Sequence, residues 1–212
     1  MKNAFLSAAL LISGSVIAAT PIDGFYTSGF GGFSYMPDNV FIWQAQTLRH
    51  DSSYNWGYDV GGQLGYKSNP LRYEAEVTYI NAVLTGFKLN NVRQTGVTGQ
   101  TNEINVMANI YYDFTEMVPS VEPFIGAGIG YGLASTFIRS KGPNGHTKFE
   151  GSSSVFAYQG IAGFTYNFAE NYAVYGAYRY IGTSNVHVLN KPFQAHLGNV
   201  GVTYRFDGST YK

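Results

Sequence analysis

The sequence predicts an all-β chain closed as an eight-stranded antiparallel up-and-down transmembrane β-barrel. Three observations predict it: eight segments alternate in polarity with a period of two, the links between them are alternately long and short, and several apolar faces end in aromatic residues. Thr101 to Phe114 shows the alternation most clearly. Asn102, Ile104, Val106, Ala108, Ile110, Tyr112 and Phe114 share one face, and Thr101, Glu103, Asn105, Met107, Asn109, Tyr111 and Asp113 share the other. Successive side chains of a strand point to opposite sides, so one face is apolar and the other is polar and charged.

Composition narrows the class. The chain has 212 residues, 12% charged and 17% aromatic, with 26 Gly, no Cys and a formal net charge of zero. Few charges with many Tyr, Phe and Gly fit a β protein whose surface lies largely away from bulk water, and exclude a disordered chain or a basic nucleic-acid binder. Without Cys there is no disulfide framework and no thiolate metal site. The hydrogen-bond ladder must hold the fold.

Residues 1–19 read as a cleaved secretory signal peptide. Lys2 supplies the positive start, Ala4 to Ile12 with Val16 and Ile17 the short apolar run, and Val16-Ile17-Ala18 or Ile17-Ala18-Ala19 the small residues for cleavage after Ala18 or Ala19. The run is shorter than the roughly 20 residues of a spanning helix. An uncleaved anchor is the alternative. Residues 20–206 are then the barrel and residues 207–212 a short C-terminal tail.

The strands follow in order. Asp23 to Met36 is Gly-rich and neither face is cleanly apolar; Pro37 to Asn55 reads as a long loop. Trp56 to Lys67 sets Trp56, Tyr58, Val60, Leu64 and Tyr66 against Asp59, Gln63 and Lys67, and Ser68-Asn69-Pro70 is a tight turn. Leu71 to Leu84 sets Leu71, Tyr73, Ala75, Val77 and Tyr79 against Arg72, Glu74, Glu76 and Thr78, and Thr85 to Gln100 reads as a polar loop. Thr101 to Phe114 is the fourth strand, with a short turn at Thr115 to Ser120.

Val121 to Ile138 faces Ile125, Ala127, Ile129, Tyr131 and Leu133 away from a column of Gly126, Gly128, Gly130 and Gly132. Such a column implies a crowded neighbourhood on its side. Arg139 to Ser153 reads as the third long loop. Ser154 to Phe168 sets Phe156, Tyr158, Ala162, Phe164, Tyr166 and Phe168 against Gln159, Gly163, Thr165 and Asn167, ending at the turn Ala169-Glu170-Asn171. Tyr172 to Ser184 sets Tyr172, Val174, Tyr178 and Tyr180 against Ala173, Ala177 and Arg179. Asn185 to Pro192 is the last loop, and Phe193 to Phe206 closes with Val200, Val202, Tyr204 and Phe206 opposite Asn199, Thr203 and Arg205.

Strands of this length match those of small outer-membrane barrels, which need roughly 9–11 residues to cross when tilted. The short links would be periplasmic turns and the four longer ones would lie outside. A soluble ligand-carrying barrel is the competing architecture, but it would place the apolar face inward and the charges outward. The aromatic ends, Trp56 with Tyr66, Tyr112 with Phe114 and Tyr204 with Phe206, fit girdles at two membrane interfaces instead.

The runs Val121-Glu122-Pro123-Phe124-Ile125-Gly126-Ala127-Gly128-Ile129-Gly130-Tyr131-Gly132, Tyr175-Gly176-Ala177-Tyr178-Arg179-Tyr180 and Val200-Gly201-Val202-Thr203-Tyr204-Arg205-Phe206 resemble the fifth, seventh and eighth strands of the OmpA-like and opacity-type family of small outer-membrane β-barrels. The resemblance covers the mature chain and rests on degenerate patterns. It implies the fold, a location in the outer membrane of a Gram-negative bacterium, assembly by the outer-membrane machinery, and a structural, adhesive, immune-evasion or narrow-channel role. Two departures stand out. Asp207-Gly208-Ser209-Thr210-Tyr211-Lys212 follows Phe206, where family members often end on the aromatic residue, and no peptidoglycan-binding domain is expected.

Asp59, Arg72, Glu74, Glu76, Glu103, Asp113, Glu122, Arg179 and Arg205 are expected to meet in the lumen. An eight-stranded barrel has an interior that side chains fill, so the expectation is a self-neutralising polar plug; a narrow ion path along Glu74, Glu76 and Glu103 is the alternative. In the outer loops, Arg49, Lys88, Arg93, Arg139, Lys141, Lys148 and Lys191 outnumber Asp38, Asp51 and Glu150, and are candidates for lipopolysaccharide phosphates. A generic solvated loop surface explains the same charges.

Catalysis has thinner support. His50, His146, His187 and His196, with Ser52, Ser53, Ser152 and Asp51, supply residue types but no pattern: the strand-borne His-x-Ser of barrel lipid A deacylases and the Gly-x-Ser-x-Gly elbow are both missing. The His spacing suits no metal, so no metal or cofactor is expected. The sequence therefore reads as a non-enzymatic outer-membrane surface protein with a structural or adhesive, host-interaction role carried by four extracellular loops. A narrow porin-like channel is the first alternative and a lipid-modifying enzyme the second. Expected partners are outer-membrane lipid and lipopolysaccharide, the assembly machinery and a host or surface ligand, with no nucleic acid.

Overall fold

The computed structural model describes residues 23–37, 39–43, 48–54, 56–89, 92–93, 95–115, 121–142, 145–184 and 194–206, with side chains in 23–37, 56–81, 102–115, 121–133, 154–184 and 194–206. Its strands are β1 (Gly24–Tyr35), β2 (Asn39–Trp43), β3 (Leu48–Tyr54), β4 (Gly57–Ser68), β5 (Leu71–Leu89), β6 (Val92–Arg93), β7 (Thr95–Asp113), β8 (Val121–Gly142), β9 (Gly145–Asn167), β10 (Tyr172–Thr183) and β11 (Gln194–Arg205). Eight of them form a closed antiparallel barrel in the order β1-β4-β5-β7-β8-β9-β10-β11, and β11 returns to β1 with Tyr26 opposite Arg205. Closure leaves no unpaired edge among the barrel strands, which a membrane requires because lipid cannot bond a free backbone group.

The period-two pattern sorts the two faces. Val60, Leu64, Val77, Val106, Ile125, Ile129, Val200 and Val202 are exposed on the outside, while Asp59, Gln63, Glu76, Asn105, Asn109, Arg179 and Asn199 are buried inside. Among the described side chains of the barrel strands, none of Asp, Glu, Lys or Arg points outward. Aromatic rings collect at both rims of the outer surface. At the end with the short turns, Tyr112 lies 5.1 Å from Phe114 and Tyr204 5.3 Å from Phe206, centroid to centroid. At the other end, Tyr35 lies 5.7 Å from Trp56.

β1, whose faces the sequence leaves ambiguous, puts Tyr26, Ser28, Phe30 and Ser34 inside and Phe25, Phe33 and Tyr35 outside. Two aromatic rings turn inward because β4 offers them glycines: Phe30 lies over Gly61 and Tyr26 over Gly65, where a Cβ would overlap the rings. The glycine column of β8 works the same way. Gly126 makes room for Tyr111, and Gly128 for Asn109.

Three expected loops need correction. Pro37 to Asn55 contains the hairpin β2–β3, with β3 paired onto the outer end of β5. Thr85 to Gln100 contains the ends of β5 and β7 and the short β6. Arg139 to Ser153 is mostly β8 and β9, whose ladder runs to Gly142 opposite Gly145. Beyond the apolar band both faces of a ladder meet water, so alternation vanishes while the pairing continues. The expected signal peptide, the last loop from Asn185 to Pro192 and the tail from Asp207 lie outside the described residues.

Candidate functional site in the barrel lumen

The lumen is filled in layers. At the end with the short turns, the Lys67 ammonium lies 2.8 Å from Glu122 Oε2 and 3.2 Å from Asp113 Oδ2. Arg72 donates from Nε to Asp113 Oδ1 at 2.8 Å and from Nη1 to Glu74 Oε1 at 3.2 Å. Tyr26 donates its hydroxyl to the same Glu74 oxygen at 2.5 Å. The Arg72 guanidinium also packs against two rings, 4.5 Å from the Tyr111 centroid and 4.8 Å from that of Phe124. Arg205 pairs with no acid among the described residues; it donates to Asn167 Oδ1 at 2.7 Å.

The middle layer centres on Glu76. Its carboxylate accepts from the Arg179 guanidinium, from Thr78 Oγ1 at 2.6 Å, from Asn109 Nδ2 at 2.8 Å and from Gln63 Nε2 at 3.1 Å. Arg179 also donates to Gln159 Oε1 at 2.7 Å, and its guanidinium lies 4.9 Å from the Phe30 ring centroid. A buried carboxylate is tolerable only with such compensation, since an ion taken out of water loses several kcal/mol of hydration. Between Arg72 and Arg179 the free space is about 10 Å³, room for about one water.

The outer layer differs. Asn199 donates to Asp59, and beside that pair Met36, Ile80, Ile181, Ala195 and Leu197 form an apolar cluster, with Ile80 0% and Leu197 1% exposed. Glu103 sits across the ladder from Ile80. It has no cation within ion-pairing distance among the described residues, and neither of its carboxylate oxygens has a hydrogen-bond donor. Among the described side chains, six carboxylates (Asp59, Glu74, Glu76, Glu103, Asp113 and Glu122) face four cations (Lys67, Arg72, Arg179 and Arg205) in this interior.

All nine charged residues expected in the lumen point into it. The structure joins seven of them to counter-charges or amides in the two inner layers, pairs Asp59 with an amide farther out, and leaves Glu103 apart. Sequence reasoning placed Lys67 on the polar face of its strand but gave it no part in the network; its signal was its parity with Asp59 and Gln63. Tyr26, Phe124 and Tyr175 have no part in the sequence reading of the lumen because interior rings look like girdle rings, and Tyr111 has only its place on the polar face of its strand. Parity with Glu122 and Arg179, and the glycines opposite the rings, were the available clues.

Of the expected lipopolysaccharide contacts, Arg49 lies on β3, Lys88 on β5, Arg93 on β6, Arg139 and Lys141 on β8, and Lys148 on β9. The register sets Lys88 opposite Arg93 and Arg139 opposite Lys148. Their side chains, and Lys191 altogether, lie outside the described residues. His196 faces outward near the outer rim, 2.6 Å from the Tyr178 hydroxyl through Nδ1.

Comparison with known proteins places the chain. The family model for the outer membrane protein beta-barrel domain matches residues 4–206. An outer membrane protein of Gluconacetobacter diazotrophicus is 31% identical over 192 residues, covering 79% of this chain and 48% of the relative. The chain thus spans about half the length of that curated relative. Among solved structures, Neisserial surface protein A is similar at 19% identity with a TM-score of 0.56, over 86% of this chain and 97% of that one. OprG of Pseudomonas aeruginosa gives 11% and 0.58 over 89% and 100%. The outer membrane protease OmpT of Escherichia coli gives 8% and 0.55 over 91% and 99%. At these identities the likeness is one of fold.

Proposed function

This chain belongs to the outer membrane protein β-barrel domain family, and on that premise we propose that it is a non-conducting surface protein, a rigid barrel that displays its outer hairpins to a host or environmental partner. The observation that carries this reading is the filled lumen. Lys67 and Arg179 bridge the interior to acids on non-adjacent strands, and Ile80, Ile181 and Leu197 close its outer end with apolar side chains. Ions do not pass a packed apolar layer without paying for dehydration. Binding surfaces concentrate on connections held by a rigid scaffold, and here the paired extensions of β5, β7, β8 and β9 supply them.

The reading is non-enzymatic. The one histidine with a described side chain, His196, is hydrogen-bonded to Tyr178 on the lipid side and pairs with no carboxylate among the described residues. Export through a cleaved leader and lipopolysaccharide contacts from the outer cations belong to the same reading. Two measurements test it. Purified protein in a planar bilayer is expected to give a silent membrane, and cells lacking residues 139–148 are expected to lose surface attachment while still assembling the barrel. Discrete channel events, or attachment unchanged by the deletion, would overturn it.

A further inference from the structure

Glu103 and Asn105 are successive inward residues of β7, 1% and 0% exposed, and neither finds a protein partner for its side-chain oxygens. Both point at one place. A Cβ built on Gly132, the residue across the ladder from Asn105, would stand 2.7 Å from Glu103 Oε1 and 2.8 Å from Asn105 Oδ1. With no side chain on Gly132, both oxygens lie side by side against its backbone.

An ionised carboxylate next to the apolar cluster of Ile80 and its neighbours is costly without a counter-charge. Every other described carboxylate of the interior has a cation or an amide donor, so the uncompensated charge is localised at Glu103. Carboxylate and amide oxygens are hard ligands, suited to an alkaline-earth cation and not to a soft transition metal. Among the described side chains of the lumen, acids exceed cations by two, which matches a divalent charge.

We propose that Glu103 and Asn105, over Gly132, form a cation site in the outer half of the lumen, with Ca²⁺ as the fitting ion. Glu103 supplies one or both carboxylate oxygens and Asn105 its carbonyl oxygen. Ca²⁺ tolerates a site only partly built from protein because it accepts irregular geometry, with solvent completing its shell. The site is independent of whether the lumen conducts, because it is read by binding and not by current.

The test uses the refolded barrel in a zwitterionic detergent free of anionic lipid, with Ca²⁺ titrated calorimetrically and Tb³⁺ followed by tyrosine-sensitised luminescence. The wild type is expected to bind one ion saturably. Glu103→Gln should bind at least about tenfold more weakly, since ligand charge sets Ca²⁺ affinity. Gly132→Ala should also lose binding, because its methyl would push both oxygens from where they lie. Asn105→Asp, which adds a charge, should tighten binding and guards against a Glu103 variant that does not fold. Asp51→Asn with Glu150→Gln should leave binding unchanged. No saturable binding by the wild type, or equal binding by the wild type and Glu103→Gln, or by the wild type and Asn105→Asp, overturns the site, as does loss of binding in the Asp51 and Glu150 variant.

Discussion

The Arg179 guanidinium on β10 spans the lumen to the Glu76 carboxylate on β5, joining residues 103 apart in sequence. Removing the arginine alone would leave Glu76 buried with only neutral donors around it. Arg179→Ala is therefore expected to lower unfolding stability by about 3–5 kcal/mol, as when one member of a buried ion pair is deleted. Replacing both, as Arg179→Met with Glu76→Leu, should cost less than the single change because no orphan charge remains. Denaturant titration in lipid vesicles measures both, and a double variant as unstable as the single one would contradict the assignment.

Lys67 gives a second test with a different geometry. Its cross-strand neighbour is Arg72, so two cations stand side by side in the ladder. They coexist because Lys67 is drawn to Glu122 and Asp113 while Arg72 divides between Asp113 and Glu74. Lys67→Met should destabilise the barrel by about 3–5 kcal/mol through the two carboxylates it abandons. Adding Glu122→Gln should recover part of the loss. A Glu122→Gln change that worsens the Lys67→Met barrel would refute the pairing.

How much of this was legible follows from what each feature depends on. Ile104, Val106 and Ile110 against Glu103, Asn105 and Asn109 revealed the faces of β7 because alternation is a property of a single strand. Partner choice is not. Lys67 meets Glu122, 55 residues on, because closure tilts and staggers the strands, and that stagger is not written in any one segment. The inward rings of Tyr26 and Phe30 were hidden for a related reason: what turns them inward is the absence of side chains at Gly65 and Gly61 on the next strand. The outer hairpins were invisible because a ladder in water has no face to keep apolar.

Those glycines make a contrast inside one barrel. Gly65→Ala would drive a methyl into the Tyr26 ring, and the ring can yield only by weakening its hydroxyl bond to Glu74. A loss of about 1–3 kcal/mol is expected, the usual cost of overpacking. Gly160 faces lipid with nothing within 4 Å of its Cβ position, so Gly160→Ala should be neutral or slightly stabilising. Thermal unfolding of the two variants side by side decides, and equal effects would mean that the inward glycines are not making room for rings.

The outer surface yields a prediction that depends on depth. Val106 and Val77 are directly opposed, exposed on the outer face, and about midway between the two aromatic rims. Tyr112 lies at one rim, stacked edge-on with Phe114. A cation is costliest where it is farthest from water, so Val106→Arg should destabilise the folded barrel in vesicles by about 2–4 kcal/mol. Tyr112→Arg should cost about 0–1 kcal/mol from the charge itself, plus the lost ring contact with Phe114. In detergent micelles, whose apolar layer adapts to a charge, the difference between the two should shrink. If Tyr112→Arg proved the costlier substitution in vesicles, the bilayer midplane would have to be moved along β7 toward the short turns.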